Sequence, residues 1–405
     1  MVKNGFSYGL IQKIAVLYLV VWTISPPLQI GTVYRLLALA CAGVWFVIWF
    51  IRENPVVLGR DQVGAIFFLI FVLGVVFFEK SSFSNILKQI AMIMLVICFL
   101  MNHFYKDRWD ELSGLIPVIL ILLIIWNGNT INALIEDPTI ARQLVRDDET
   151  THTYLQQGVG GYSLVYPQVC ICPVIFAWII KAFNNSKLLF TVGASWLVSY
   201  IWLISIAGYS IAIFASVAGA ILLFFYRGKS AVAAFLVAAT IFIGIMAAIM
   251  YVDSFRNWLL EFFDGTAVAK KINDLVSTSE TGETGESIQV RIDAYLRSII
   301  NIIKYPIIGT LWKDSGGGHS AFLDIFSKYG LFGAYIFSRI VYTVPIYYKK
   351  HINNAFIITT ANATLITLLF VSILDSLSYS FTCMILMVAP LFFEDILKWT
   401  EVCEE

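Results

Sequence analysis

Charged side chains are scarce in this sequence, and their scarcity excludes an ordinary soluble protein. Charged residues make up 13% of the 405 residues and hydrophobic residues make up 59%, whereas about a quarter of a soluble domain is charged. The apolar residues also form runs long enough to cross a hydrocarbon core, which takes roughly 20 helical residues. The composition and these runs predict a membrane protein. The formal net charge is zero, so no nucleic-acid partner is predicted.

Cysteine and clustered acidic residues are also too sparse to predict a disulfide framework or a metal site. The chain has six cysteines, and most lie inside apolar runs, where cysteine packs as a small hydrophobic residue. Cys170 and Cys172 do not predict a zinc site, because zinc sites normally use four ligands and no further ligand lies near this pair in the sequence. The acidic run Asp147, Asp148 and Glu149 is interpreted as a solvated charge run. We therefore predict no metal and no cofactor.

About twelve apolar segments have the length expected of membrane-spanning helices. The predicted spans are 10–28, 32–51, 62–78, 85–104, 112–130, 160–182, 188–206, 208–226, 231–251, 320–348, 354–373 and 377–397. The first span lacks a small-residue cleavage site, so it is expected to be a retained helix and not a signal peptide. The predicted fold is therefore an all-α, polytopic integral membrane protein.

Lysine and arginine residues between the spans predict the orientation, because cytoplasmic loops are enriched in both. Cations follow alternate spans, as at Lys349 and Lys350, on the same side as Lys3 of the N-terminus. Both termini are therefore predicted to be cytoplasmic, and the long connections 131–159 and 252–319 are predicted to face outward. The predicted regions are transmembrane helices in 1–251, a large outward loop at 252–319, and final spans with a cytoplasmic tail in 320–405.

Histidine is rare, with four in the chain, and His319 has a distinctive setting. It follows a glycine run ending in Gly317 and Gly318 and precedes Ser320, which is predicted to cap a helix starting at Ala321. Glycine lets a backbone approach a ligand closely, and free N–H groups at a helix start favour an anion such as phosphate. The partial positive charge there favours neutral imidazole, which can accept a proton as a general base. The same residues also fit a glycine-rich turn with an interfacial histidine.

The helical pattern before that turn, at 288–305, carries a second group of candidate residues. Arg291, Tyr295 and Ser298 share one face at helical spacing. Arginine presents a planar, permanently charged fork that suits phosphate oxygens. The alternative is an amphipathic helix on the membrane surface whose arginines contact only lipid headgroups. A shorter helical pattern, at 255–263, lies earlier in the same outward loop.

An ordered set of motif residues runs through the end of this loop and into the next span. The set is Arg291, Tyr295, Pro306, Gly309, His319, Leu323, Asp324, Tyr329, Gly330, Leu331, Phe332 and Gly333. It resembles the Wzy/WaaL superfamily of O-antigen polymerases and ligases. Their signature runs from an outward-loop arginine through Pro-x-x-Gly and His-Ser to an aliphatic-Asp helix start with Gly-x-x-Gly. The close match covers residues 291–333.

The resemblance implies a metal-independent, inverting glycosyltransferase with a GT-C-type membrane fold. Its donor and acceptor would be undecaprenyl-diphosphate-linked oligosaccharides at the periplasmic face of the bacterial inner membrane, and a chain-length regulator protein is a candidate partner. Arg291 would contact the donor's diphosphate, and His319 would activate the acceptor hydroxyl or hold the donor. The residues expected to complete the substrate-binding site are Tyr295, Gly317, Gly318 and Ser320.

The sequence departs from the family pattern at one position. Many members carry an outward-facing Ser-Arg pair at the start of a middle span, which supplies a second diphosphate-binding arginine. The matching stretch begins at Ser205 and has Tyr209 where that arginine would fall. The candidate replacements are Arg142, Arg146 and Arg35, and the sequence does not choose among them.

The leading functional hypothesis is a polymerase that transfers one lipid-linked glycan onto another. A ligase that moves a finished chain onto lipid A–core shares these motifs, but the missing Ser-Arg pair and a loop without a strongly basic surface favour the polymerase. A flippase for the same lipid would be expected to show internal repeats and ionisable residues within its spans, and the spans here are nearly free of charge. A structural scaffold gives no reason for the glycine-rich turn that ends in His319.

Overall fold

The computed structural model of this protein describes most of the chain and shows it to be helical. The described residues are 5–53, 112, 114–138, 140–144, 149–225, 230–264, 268–269, 272–273, 276, 286–311, 313, 317–375 and 384–401. The helices, in chain order, are α1 Gly5–Ile24, α2 Pro26–Ile30, α3 Thr32–Glu53, α4 Ile116–Glu136, α5 Ile140–Gln143, α6 Glu149–Gln156, α7 Tyr162–Asn185, α8 Lys187–Ala207, α9 Ser210–Phe225, α10 Ala231–Tyr251, α11 Asp253–Phe262, α12 Glu286–Lys304, α13 Ala321–Val341, α14 Thr343–His351, α15 Ala355–Leu374 and α16 Ala389–Glu401. The described residues include no strand, so the predicted all-α class is confirmed for this part of the chain.

Five helices in the described ranges are long and apolar enough to cross a membrane. They are α4, α7, α8, α15 and the stretch Val232–Tyr251 of α10. Shorter apolar stretches occur at Gly9–Ile24, Val33–Ile48 and Ile211–Phe225. These helices are compatible with a multipass membrane protein. The predicted spans 62–78 and 85–104 lie outside the described residues. The predicted span 377–397 is described only from the π-helical turn Met384–Val388, which leads into α16.

Polar N-caps fix where several of these helices begin. Ser186, Ser230 and Asn354 precede α8, α10 and α15, and each side chain accepts a hydrogen bond from a backbone N–H in the first turn. Such caps satisfy N–H groups that have no partner inside the helix. As a result, α8 and α15 agree closely with the predicted spans 188–206 and 354–373.

Helix α7 lies at the centre of the bundle and packs against α8, α9, α15 and α16. In the most apolar 18-residue stretch of α7, 83% of the residues are buried, compared with 17% in the corresponding stretch of α10. Inside it, Gln168 donates to Asn127 of α4 at 2.9 Å and accepts from the Trp196 indole of α8 at 2.9 Å. Buried polar groups are costly unless they are hydrogen-bonded. This network therefore fixes α4, α7 and α8 relative to one another.

The predicted span 320–348 is wrong as one continuous helix. Helix α13 contains Gly330 with φ 66° and ψ −166°, and the separate helix α14 follows α13. The cause is the segment Pro306–Gly309, whose first carbonyl accepts the Leu331 N–H at 2.8 Å. A Cβ atom on Gly330 would lie 2.1 Å from the Ile307 carbonyl oxygen, so the two backbones cross too closely for a side chain. The Pro-x-x-Gly and Gly-x-x-Gly motifs therefore meet at one crossing.

Two other predicted boundaries also differ from the structure. Helix α4 continues to Glu136, so the connection predicted at 131–159 begins later, and it contains the short helices α5 and α6. The predicted span 10–28 breaks after Ile24, where Pro26 starts the separate helix α2. Proline has no N–H group and disfavours a helical conformation in the preceding residue. Both differences move the ends of helices and leave the helical class unchanged.

Candidate functional site

Helix α12 places its predicted polar face against the C-terminal end of α15. The Arg291 guanidinium donates to the Leu374 carbonyl at 3.4 Å, and the Tyr295 hydroxyl donates to the same carbonyl at 3.0 Å. The last carbonyls of a helix have no partner within it and carry partial negative charge, so cationic and hydroxyl donors stabilise them. Burial raises the pKa of the Tyr295 hydroxyl, and the nearby Arg291 offsets part of that rise. Tyr295 is therefore a hydrogen-bond donor at neutral pH.

The third residue of that face, Ser298, contacts the start of α13 through Asp324. The Ser298 hydroxyl donates to Asp324 Oδ1 at 2.7 Å. The Gly317 N–H donates to the same oxygen at 3.0 Å, and the Ser320 N–H donates to Asp324 Oδ2 at 3.2 Å. The Asp324 carboxylate thus holds the 317–320 turn against α12. The predicted shared face of α12 is confirmed by these contacts.

Ser320 is the N-cap that the sequence predicts. Its hydroxyl accepts the Leu323 N–H at 3.2 Å and donates to the Ser372 carbonyl at 3.3 Å. The next residue, Ala321, donates its N–H to the Asp375 carbonyl at 2.9 Å. The first turn of α13 is therefore attached to the last turn of α15, the same turn that accepts Arg291 and Tyr295.

His319 lies in this turn, directly before the cap, and its side chain is half-buried. The preceding Gly318 has a φ of +79°, which favours glycine. A Cβ atom on Gly317 would lie 2.1 Å from the Ala294 carbonyl oxygen of α12. The turn can approach α12 this closely only because residue 317 has no side chain. The structure thus brings His319 and Arg291 to the same end of α15.

Three tyrosines line the neighbouring end of α7. The rings of Tyr162 and Tyr166 are stacked with centroids 5.2 Å apart, and the Tyr209 ring is 4.8 Å from that of Tyr162. Tyr166 donates a hydrogen bond to the Asp375 side chain. Arg291 and Asp375 both lie close enough to interact electrostatically with Tyr162 and Tyr166. The site therefore includes α7 as well as α12, α13 and α15.

Tyr209, which the resemblance aligns with the family's second arginine, lies in this cluster. Its hydroxyl donates to the Ala141 carbonyl of α5 at 3.4 Å. The adjacent residue, Arg142, belongs to the same short helix, whereas Arg146 lies outside the described residues. Arg35 donates its Nε–H to the Gln29 carbonyl at 2.7 Å near the α2–α3 junction. Of the two candidate replacements within the described residues, Arg142 directly follows the residue whose carbonyl Tyr209 contacts, and Arg35 does not.

Sequence reasoning missed Asp375, Tyr162 and Tyr166 as site residues. Asp375 directly ends an apolar run, and the two tyrosines stand one helical turn apart after the pair Gly160 and Gly161. A carboxylate at the end of a span and tyrosines at the start of another are signals that could have been used. Their meeting could not be deduced, because it depends on how α7 and α15 pack.

The described residues include no cluster of three or more His, Cys, Asp or Glu side chains that could hold a metal ion. Cys170 and Cys172 are both buried in α7 as free thiols. The chemical groups present at the site are thus a guanidinium, an imidazole, two carboxylates and phenol hydroxyls. Such groups bind anions and sugar hydroxyls and can transfer protons.

No protein-family model matches the sequence, and no curated protein is significantly similar to it. The resemblance to the polymerase and ligase superfamily therefore depends on the ordered motif residues between Arg291 and Gly333.

Proposed function

We propose that this protein is a Wzy-like polymerase that joins undecaprenyl-diphosphate-linked oligosaccharide repeat units at the periplasmic face of the bacterial inner membrane. In this proposal the chain has about twelve spans in a GT-C-like arrangement, and the site described above faces the periplasm. Glycosyl transfer is inverting and needs no metal. Donor and acceptor are both lipid-linked glycans, and a chain-length regulator is the expected protein partner.

One observation carries the proposal: Arg291, Tyr295 and the His319 turn converge on the last turn of a candidate span. Arg291 reaches the Leu374 carbonyl at 3.4 Å, which is longer than the usual N–H···O distance of about 2.7–3.2 Å. The guanidinium can exchange this weak contact for phosphate oxygens, to which it bonds more strongly. The position of the site at a helix end also suits a substrate whose lipid tail remains in the bilayer.

Catalysis in this proposal depends on the leaving group. The acceptor oxygen attacks the anomeric carbon, the bond from that carbon to the phosphate oxygen breaks, and the lipid diphosphate leaves with the electron pair. Negative charge develops on the diphosphate, and donors that are already in place stabilise it at little reorganisation cost. Arg291 is such a donor, and His319 contacts either the acceptor hydroxyl or the diphosphate.

The ligase is the alternative, because it would use the same donor chemistry with lipid A–core as acceptor. The gel profile of surface lipopolysaccharide separates the two functions when this gene is deleted in its source strain. Loss of polymerase leaves core carrying a single repeat with no ladder above it. Loss of ligase leaves bare core, with lipid-linked polymer accumulating. We expect the first profile, restored by the wild-type gene and not by one encoding Arg291→Ala.

A flippase gives a third outcome in the same experiment. Its loss would leave bare core and lipid-linked repeat units on the cytoplasmic side, without lipid-linked polymer. This profile would contradict the proposed function and would remove the reason to place chemistry at His319 and Arg291.

A further inference from the structure

Asp375 lies where the helices of the candidate site meet. It is the C-cap of α15, is 4% exposed, and accepts the N–H of Ala321 at the start of α13 through its carbonyl at 2.9 Å. The preceding carbonyl, of Leu374, accepts both Arg291 and Tyr295. Residue 375 therefore stands between the first turn of α13 and the polar face of α12.

The carboxylate of Asp375 is turned towards the tyrosine cluster. It accepts a hydrogen bond from Tyr166 and interacts electrostatically with Tyr162 and Tyr209. Arg291 interacts with the same Tyr162 and Tyr166. The carboxylate and the guanidinium therefore lie near the same two tyrosines, and the Tyr162 ring is half-buried. An aromatic ring with a hydroxyl tip offers a sugar both an apolar face and a hydrogen bond.

The second carboxylate of the site, Asp324, has a structural task instead. Its oxygens accept hydrogen bonds from the Ser298 hydroxyl and from the N–H groups of Gly317 and Ser320. These bonds hold the turn that carries His319 onto α12. Of the two carboxylates, Asp375 is the one that accepts a hydrogen bond from the tyrosine cluster near Arg291.

We propose that Asp375 receives the proton of the acceptor hydroxyl, which assigns His319 to the donor's diphosphate. This inference rests on the proposed function. The acceptor oxygen bonds to the anomeric carbon, the lipid diphosphate leaves with the electron pair of the broken C–O bond, and the hydroxyl proton passes to the Asp375 carboxylate. The resulting carboxylic acid then returns its proton to water. Arg291 and His319, at the start of α13, face the negative charge of the leaving group.

The test uses purified full-length protein in proteoliposomes with a synthetic undecaprenyl-diphosphate-linked repeat unit as donor and acceptor. Asp375→Asn keeps the shape of the side chain and an acceptor for Tyr166, but it removes the basic carboxylate. We expect kcat to fall by about 100-fold or more, as for loss of a general base, with the donor KM changed less than about threefold. His319→Gln should instead raise the donor KM. Asp293→Asn is the matched control, because Asp293 is exposed on α12 and accepts from Gln289 of the same helix.

The pH profile distinguishes a proton acceptor from a residue that only holds the fold. Wild-type kcat should decline on the acid side, and the residual kcat of Asp375→Asn should lose that decline. The charged and titratable groups around Asp375 are Arg291 and Tyr295 of α12, Tyr162, Tyr166 and Cys170 of α7, and Tyr209 before α9. The profile is therefore recorded for Arg291→Lys as well, which should keep the acid-side decline.

Each outcome decides between the two levels of the proposal. If the wild type transfers glycan and Asp375→Asn has a kcat within about threefold of it with the same pH profile, only the role of Asp375 is overturned. Absence of transfer by the wild type would overturn the proposed function. If Asp375→Asn does not fold, Asp375→Glu keeps a carboxylate and should retain measurable, pH-dependent transfer. Complete loss of transfer in a folded Asp375→Glu protein that still binds donor would also count against Asp375 as the proton acceptor.

Discussion

Helices α11 and α12 are both amphipathic and both belong to the connection predicted to face outward, yet they use their arginines differently. In α11, Arg256 pairs with Asp253 of the same helix. In α12, Arg291 reaches the end of α15 in a distant part of the sequence. The ion pair of Arg256 stays within one helix. The contact of Arg291 instead fixes its guanidinium beside the end of another helix.

The apolar sides of the two helices show the same contrast. Helix α11 packs Leu259 and Leu260 onto a small cluster around Ile249, and it leaves Trp258 and Phe262 exposed. Helix α12 also exposes apolar residues, but its opposite face is attached through Arg291, Tyr295 and Ser298. An amphipathic helix on the membrane surface therefore accounts for the exposed apolar residues of α11, but it accounts for only one side of α12. Among the described residues of this connection, the long-range polar contacts to α15 and α13 are therefore made by α12.

The largest difference is expected between the two arginines. Arg291→Ala should reduce glycan extension at least about 100-fold, because it removes a charged donor from the developing negative charge. His319→Ala should also abolish extension. Arg256→Ala should leave extension within about twofold, since an exposed ion pair contributes about 0–1 kcal/mol. The measurement is the lipopolysaccharide ladder in a complemented deletion strain, with membrane levels of each protein determined by immunoblot. Equal ladders from Arg291→Ala and Arg256→Ala would erase the distinction between the helices.

Loss of the Asp324 carboxylate should have the next largest effect. Asp324→Ala leaves the Ser298 hydroxyl and the Ser320 N–H without this acceptor, at about 1–3 kcal/mol for each buried group. The Gly317 N–H keeps the Ser298 hydroxyl oxygen as an acceptor. We expect a lower thermal unfolding temperature in detergent and a loss of extension that follows the loosened turn. Asp253→Ala on α11 is the control and should unfold like the wild type. Unchanged unfolding of Asp324→Ala would mean that this carboxylate does not hold the turn.

A single methyl group tests the close approach between the 317–320 turn and α12. The Cβ atom of Gly317→Ala would lie 2.1 Å from a backbone oxygen of α12, and overpacking of this kind costs about 1–3 kcal/mol. We expect reduced extension together with a lower unfolding temperature. Gly244→Ala is the matched control, because a Cβ atom there meets nothing within 4 Å. If the two alanine variants behave alike, the turn does not lie against α12 as described.

The smallest of these effects is expected from a single hydroxyl. Tyr295→Phe removes the donor to the Leu374 carbonyl at 3.0 Å, and such a bond contributes about 0.5–1.5 kcal/mol. Extension should fall by about two- to tenfold. Tyr305→Phe, at an exposed position just after α12, should be silent. Rates of extension in proteoliposomes resolve such differences. A Tyr295→Phe rate equal to that of Tyr305→Phe would show that the hydroxyl does not help to place α12.

The parts of the fold that were predictable from sequence depend on local patterns. Long apolar runs between polar caps gave spans close to α8 and α15, and helical spacing placed Arg291, Tyr295 and Ser298 on one face. The helix start after Ser320 followed from its side-chain chemistry. Each of these features depends on neighbours within a few residues.

The parts that were not predictable depend on contacts between distant segments. The break at Gly330 exists because Pro306–Gly309 crosses α13, and nothing in the local pattern of α13 reveals that crossing. The contact between Tyr166 and Asp375 likewise requires the packing of α7 against α15. For the same reason the contacts of Tyr209 were not predictable. The sequence showed only that it stands where the family pattern has an arginine, whereas in the structure its ring contacts Tyr162 and its hydroxyl contacts α5.

The most direct measurement follows the products made by purified wild-type protein in proteoliposomes supplied only with a synthetic undecaprenyl-diphosphate-linked repeat unit and a metal chelator. We expect a ladder of lipid-linked glycans that lengthens with time, and no ladder from Arg291→Ala. Absence of a ladder, combined with transfer to lipid A–core once that acceptor is added, would contradict the polymerase and identify a ligase. Absence of transfer to either acceptor would contradict the glycosyltransferase itself.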